Sequence, residues 1–379
     1  MMNNRIETLQ KLLAQTELDG VVVNPSASLR YLTGLEFHLM ERPVLLFVPK
    51  IGKPIMILPE LELAKLAGME DHLQIHSFGD NPSSWQSVFE KALAVYAEKD
   101  LRIGLEATSL RFLELNFLQK ALPAAIFVDA SNLFAELRLY KDQDDLAKMR
   151  KAAEIAEEAL IETLKTVKVG QTEKEIANEL LVQLYRHGSD AELPFMPIVS
   201  SGLNTANPHA TPSERKLEEN DVLLFDWGAG FEGYFSDITR TFFVGSSAEE
   251  MQKLAETVQR ANHYAVAQGK AGMTAGEIDK IARDEIEESG YGVYFTHRTG
   301  HGLGMEAHEA PFIFAGNPQI LKEGMVFTIE PGIYHPEIGG VRIEDDVVVT
   351  SEGLLSLSTL PREVMTISRY LELLGFFRG

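Results

Sequence analysis

Two stretches about a hundred residues apart carry the same device in the same order. GQTEKEIANELLVQLYRHG contains Thr172 and Glu175, and GMTAGEIDKIARDEIEESG contains Thr274 and Glu277. Both pairs have the spacing of a capping box, where threonine and glutamate side chains each satisfy the other's backbone N–H at a helix start. Each stretch follows another helical pattern. Each also leads to an apolar strand that ends in an acid and then reaches glycine, VLLFDWG at 222–228 and VFTIEPG at 326–332. Thr172 and Thr274 lie 102 residues apart, and Asp226 and Glu330 lie 104 apart. Two matches in one order indicate internal duplication, so residues 145–247 and 248–360 read as related halves. Arranged about a pseudo-twofold axis, the halves would bring equivalent residues to one shared site.

Each half also reads as an acidic hairpin. In VLLFDWGAGFEGYFSDITRT, residues 222–241, a turn centred on Phe231 and Glu232 would set Asp226 opposite Asp237. In the second half, Glu330 and Glu344 are equidistant from the IYHPE turn and can face each other. Two carboxylates about 4 Å apart repel by roughly 4 kcal/mol at an effective dielectric near 20. A shared proton, an arginine or a metal ion must offset that. Between the hairpins lies THRTGHGLGMEAHE, with His297, His301 and His308, and with glycines at 300, 302 and 304 that permit close backbone approach. The spacing is not that of a helical HExxH zinc motif. Four carboxylates in one pocket are offset by two divalent ions, and one neutral imidazole completes an oxygen-rich set. Such ligands favour manganese, with iron, cobalt and zinc as alternatives. Two metals about 3.5–4 Å apart can hold a bridging hydroxide as nucleophile and polarise a carbonyl. The remaining histidines can handle protons near neutral pH.

The rest of the chain places this site in a larger frame. With 379 residues and 45% hydrophobic composition, two folded domains are expected. Short apolar runs at 20–25, 43–50, 54–59, 102–107 and 125–131 alternate with helical patterns at 5–18, 83–98 and 109–121. That alternation indicates an α/β layer domain over residues 1–138. No catalytic cluster is evident there, and His38, His72 and His76 read as surface or interface histidines. A charged segment at 136–145 marks the boundary. A long helix follows from Asp142 to Val167 and opens an α+β domain over 139–379. The formal charge of −21 argues against nucleic acid and anionic membranes as partners. With no cysteine, thiol catalysis and cysteine metal sites are excluded. A polar N-terminus and the lack of any long apolar run make a cytoplasmic protein the expectation.

FDWGAGFEGYFSDITRT, GHGLGMEAHE, FTIEPGIY and GGVRIEDD together resemble the pita-bread metallopeptidases, the group of aminopeptidase P, prolidase, methionine aminopeptidase and the metal-free creatinase. The resemblance covers essentially the whole chain, with a creatinase-type N-domain ahead of the catalytic domain. It implies that Asp226, Asp237, His301, Glu330 and Glu344 are the metal ligands. Asp237 and Glu344 would bridge both ions, with Asp226 on one and His301 and Glu330 on the other. Glu330 would also take a proton from the bridging water. His209, in NPHATP, would bind substrate or protonate the leaving amine. His297 and His308 would hold the substrate and stabilise the tetrahedral intermediate. Arg342 would orient Glu344 or a substrate carboxylate.

An N-domain of this type implies the Xaa-Pro branch, acting on small peptides with proline second, and a homodimer or homotetramer. The complete ligand set counts against a non-enzymatic scaffold. Many similar microbial dipeptidases carry an arginine four residues after the second histidine, to grip the proline carboxylate. Here that residue is Phe312, and 309–329 contain no arginine. This favours an Xaa-Pro aminopeptidase, with an Xaa-Pro dipeptidase (prolidase) as the alternative and organophosphate hydrolysis as a side activity that the motif leaves open.

Overall fold

The computed structural model describes residues 2–377, and the chain divides into two compact units on either side of the Arg138–Leu139 bond. The N-terminal unit runs α1 (Met2–Ala14), β1 (Gly20–Val23), α2 (Ala27–Thr33), β2 (Leu45–Pro49), β3 (Ile55–Pro59), β4 (Gln74–Phe78), α3 (Trp85–Leu93), β5 (Arg102–Leu105), α4 (Phe112–Ala121), β6 (Ile126–Asp129) and α5 (Ser131–Arg138). Its strands form one mixed sheet in the order β4-β3-β2-β1-β5-β6. Successive strand residues point to opposite faces, and both faces are covered. Val21, Val23, Leu46, Val48, Met56 and Leu58 pack with α1, α2 and α5. Val22, Leu45, Phe47, Ile55 and Ile57 pack with α3 and α4 on the other side. His38 and His72 are exposed, and His76 is half-buried on β4.

The C-terminal unit is built twice over. Its first half has α6 (Gln143–Leu164), α7 (Glu173–Arg186), β7 (Ile198–Ser201), β8 (Val222–Trp227), the two-residue strands β9 (Gly230–Phe231) and β10 (Tyr234–Phe235), and β11 (Ile238–Phe243). Its second half has α8 (Glu249–Gln268), α9 (Ala275–Glu288), β12 (Gly300–Gly302), β13 (Glu309–Ile313), β14 (Val326–Ile329), β15 (Gly332–His335), β16 (Gly339–Arg342) and β17 (Asp345–Val349), before β18 (Leu354–Ser356) and α10 (Ile367–Phe377). Both capping boxes form, at Thr172/Glu175 on α7 and at Thr274/Glu277 on α9. The chain just ahead of each box makes the same backbone bonds. Gly170 donates to Leu217 and Leu217 to Gln171, while Gly272 donates to Leu321 and Leu321 to Met273. The repeat seen in sequence is therefore a repeat of hydrogen bonding. Each half buries its own core, α6 and α7 against β8 and β11, and α8 and α9 against β14 and β17.

The two hairpins differ in how well symmetry of spacing located their turns. In the second, Gly332 pairs with Arg342 and Val326 with Val348, a register that sets Glu330 and Glu344 at opposed positions as expected. In the first, Asp226 pairs with Thr239, not with Asp237. The turn is centred on Glu232 and Gly233, both at positive φ (49° and 80°), with Phe231 paired to Tyr234. This is the primed turn that suits strand twist, and it recruits Gly233 to its second central position. The centre therefore falls one residue later than equidistance suggests, and pairing shifts by two. Side chains alternate with period two, so both aspartates still share one face.

Candidate metal centre

The ends of corresponding strands deliver the acids. Asp226 lies on β8 and Asp237 directly precedes β11, while Glu330 directly follows β14 and Glu344 directly precedes β17. The halves are stitched where these strands meet. The Glu344 N–H donates to the Thr239 carbonyl at 3.1 Å, and the Thr239 hydroxyl donates to Glu344 Oε2 at 2.6 Å. His301 is the centre of β12, which runs between β13 and β14. A Cβ on Gly300 would stand 1.8 Å from the Thr328 carbonyl oxygen, and one on Gly302 would stand 2.1 Å from that of Ala310. Only glycine on both sides lets the histidine strand sit this deep.

Ligand-capable atoms of Asp237, His301 and Glu344 all lie within 4.8 Å of one another, and all three residues are buried. His301 Nε2 is 3.3 Å from Glu330 Oε1 and 3.7 Å from Asp237 Oδ2. Asp226 and Glu330 flank this trio. All five line a cavity of about 680 Å³, together with His209, His297, His308 and Arg342, so every site residue singled out in the sequence faces the same space.

The unsatisfied atoms say what this space is built to hold. Asp226 Oδ1 and Asp237 Oδ1 are buried with no hydrogen-bond partner among the described residues. His301 Nδ1 is 3.1 Å from the Gly302 carbonyl, which can only accept, so the ring proton sits on Nδ1. The Nε2 lone pair then faces carboxylate oxygens, an arrangement that needs a proton or a metal ion between them. An imidazole oriented by a backbone carbonyl, set among hard oxygen donors, fits a divalent metal site. Electrostatics agree. Burial, reinforced by neighbouring acids, pushes Asp237 and Glu344 well above the usual carboxylate range. Burial raises Glu330 to about 7 although Arg342 opposes it, and also raises Asp226. Burial, then the nearby His308, lowers His301 to about 3, keeping it neutral and able to bind metal.

A hydrogen-bonded chain braces this centre. Arg342 donates from Nη2 to Asp226 Oδ2 at 2.5 Å, from Nε to Thr239 Oγ1 at 3.0 Å, and from Nη1 to Tyr334 Oη at 2.8 Å and the Pro208 carbonyl at 3.3 Å. Because arginine only donates, the Tyr334 hydroxyl proton is free to go to His297 Nε2, 2.9 Å away. His297 Nδ1–H then donates to the Arg298 carbonyl at 2.7 Å. Burial lowers the His297 pKa to about 4, consistent with this neutral tautomer. Sequence reading gave His297 a substrate-holding role, but protein groups engage both of its ring nitrogens. Arg342 is likewise committed to Asp226 and its neighbours: its guanidinium donates to Asp226 and not to Glu344, which it reaches through the Thr239 hydroxyl. His209 and His308 are exposed, and the His308 ring centroid stands 4.0 Å from that of His301. Three residues went unremarked in the sequence: Thr239, Tyr334 and Arg298, the last also on the cavity wall. Strand alternation from Glu330 through Gly332 would have placed Tyr334 on the same face. Nothing comparable marks Arg298.

Comparison with known proteins follows the same division of the chain. Residues 5–140 match the creatinase/prolidase N-terminal domain, and residues 147–351 match metallopeptidase family M24. An Xaa-Pro dipeptidase from Lactobacillus delbrueckii subsp. lactis is 34% identical, over 96% of this chain and 98% of that protein. Among solved structures, a dipeptidase from Pyrococcus horikoshii OT3 is 38% identical with a TM-score of 0.89, covering 96% of this chain and 99% of that one. A prolidase from Thermococcus sibiricus is 36% identical with a TM-score of 0.90, covering 97% and 99%. Paired acids from two related halves, a histidine aimed at them and matches spanning nearly the full length lead to one conclusion: the chain belongs to metallopeptidase family M24, in its pita-bread form with a creatinase/prolidase-type N-terminal domain.

Proposed function

We propose that this metallopeptidase is an Xaa-Pro dipeptidase, hydrolysing the bond before proline in two-residue peptides. The observation that carries the reading is the convergence of Asp226, Asp237, His301, Glu330 and Glu344 on one cavity, with carboxylate oxygens left unsatisfied. These five would hold two divalent ions, with manganese the first choice on ligand hardness. When bound, such ions supply Lewis acidity toward the scissile carbonyl and lower the pKa of water. Glu330, whose carboxylate stands 3.3 Å from His301 at the cavity, would take the proton released from water. His209 and His308, exposed on the cavity wall, would contact substrate and pass a proton to the leaving proline nitrogen. Arg342, Thr239 and Tyr334 keep the acids and His297 in position.

The aminopeptidase preference drawn from Phe312 gives way to the dipeptidase alternative. The relatives named for their activity above are dipeptidases or prolidases, aligned over nearly their full length. The test is cleavage of Ala-Pro against Ala-Pro-Ala by metal-stripped protein after manganese is added back. Faster release of proline from Ala-Pro is expected. Preferential release of alanine from Ala-Pro-Ala would restore the aminopeptidase reading.

A further inference from the structure

Among the described residues two permanent cations line the cavity, Arg298 and Arg342, and they are not equivalent. Arg342 is buried with every guanidinium nitrogen engaged. Arg298 is half-buried, and its guanidinium makes no hydrogen bond or ion pair with any described residue. It lies over Phe312, whose ring centroid is 4.7 Å from the guanidinium carbon. A planar cation stacked on a ring is held in orientation while its N–H edge stays free. A guanidinium partly withdrawn from water with no anion in hydrogen-bonding contact is costly unless a ligand supplies one. Carboxylate is the anion that matches its fork of donors.

We propose that Arg298, laid on Phe312, grips the free C-terminal carboxylate of the substrate and so sets its length at two residues. This rests on the dipeptidase reading above. In an Xaa-Pro dipeptide the carboxylate sits on the proline Cα, which is bonded to the scissile nitrogen. A clamp for it must therefore belong to the same cavity as the metal ligands. Arg298 meets that condition, being three residues before His301 and attracted to Glu330 across the cavity. Each further residue moves the carboxylate outward by up to ~3.3–3.6 Å, beyond a clamp fixed on this wall. Phe312 then has a positive role. The position that lacks an arginine in sequence supplies the platform for one that arrives from a different segment.

The test compares Ala-Pro with Ala-Pro-amide, which keeps the scissile bond and removes the charge, in wild type and Arg298→Gln, both loaded with manganese. Wild type is expected to favour the free acid. Arg298→Gln should raise KM for Ala-Pro by roughly 10- to 100-fold, the scale for losing a charge-assisted hydrogen bond, while leaving Ala-Pro-amide nearly unchanged. Inhibition by proline against prolinamide should show the same selective loss without catalysis. Phe312→Leu, which keeps the cation and removes its platform, should shift KM in the same direction by a smaller factor. Arg298→Gln with the preference for the free acid intact would overturn the clamp and leave the dipeptidase reading standing. Equal losses on acid and amide would also overturn it, as would a loss confined to Asp-Pro-amide, which would assign Arg298 to an acidic side chain. If wild type cleaves neither dipeptide, the dipeptidase reading falls and the clamp falls with it.

Discussion

Arg342, from the second half of the catalytic unit, donates to the Asp226 carboxylate of the first half at 2.5 Å. The pair joins the duplicated halves at the point where their acids converge, and both residues are buried. Removing one partner of a buried ion pair leaves the other uncompensated, which typically costs about 3–5 kcal/mol. Arg342→Met is therefore expected to lower stability of the metal-free protein by about 3 kcal/mol in urea unfolding. Activity should fall as well, because Asp226 and Tyr334 lose their common anchor. Unchanged stability would mean that Asp226 holds a proton in the metal-free state and never needed the arginine.

The opposite sign is expected for the acids that burial penalises most. Asp237 is buried with one oxygen unpartnered and is repelled by Glu344 and Asp226. Such groups are kept for what they bind, not for what they add to the fold. Asp237→Asn should abolish metal binding and activity while leaving the metal-free Tm equal to wild type or a few degrees higher. Metal analysis and calorimetry in chelator check both halves of this statement. A clear fall in Tm would mean that native contacts, and not a cation, hold the aspartate.

Much of this site was legible in the sequence because duplication repeats each signal. The capping threonines and strand-end acids could be matched against each other, and the second hairpin register followed from equidistance alone. The first did not, because the backbone of Glu232 takes positive φ so that Gly233 can fill the second central turn position. Glutamate gives no hint of that conformation. Thr239 was hidden for another reason: it acts across the join between the halves, bonded to Glu344 and Arg342, where no local spacing reports the contact. Arg298 was hidden because its partner is the ring of Phe312, fourteen residues on in β13, while Arg298 itself lies in the loop before β12.

Glu330 makes stability of the empty site depend on pH. Its pKa is raised from 4.5 to about 7 in the fold. Between those values the folded state holds a proton that the unfolded state has released, so stability falls as pH rises. The contribution is fully present below about 4.5 and is lost as pH passes through about 7. Glu330→Gln removes this titration. The Tm of metal-free wild type minus that of metal-free Glu330→Gln should therefore decrease from pH 5 to pH 8. A flat difference would place the Glu330 pKa near its ordinary value. Added metal should reverse the trend, because the ions compete with protons and bind better as pH rises.

His308 is expected to act on turnover and not on metal retention. It is exposed, lies against His301 and has no place among the close-set donor atoms. His308→Ala should keep its metal and lower kcat by roughly 10²–10⁴-fold, the range for losing a proton-transfer or oxyanion-stabilising group. A matching fall in metal content would move His308 into the ligand set.

Tyr334 fixes the tautomer of His297, and that can be read without an assay. With Arg342 donating to the phenol oxygen, the hydroxyl must donate to His297 Nε2, which leaves the ring proton on Nδ1 facing the Arg298 carbonyl. Tyr334→Phe deletes the donor and leaves a buried ring nitrogen unpaired, at an expected cost of about 1–3 kcal/mol in unfolding free energy. In ¹⁵N spectra of histidine-labelled wild type, His297 should show the Nδ1–H form across neutral pH, since its pKa lies near 4. Tyr334→Phe should disturb that signal and leave the His301 resonances in place, because the His301 tautomer is set separately by the Gly302 carbonyl. An Nε2–H signal for His297 in the wild type would reverse the donor order along the whole Arg342–Tyr334–His297 chain and return His297 to substrate contact.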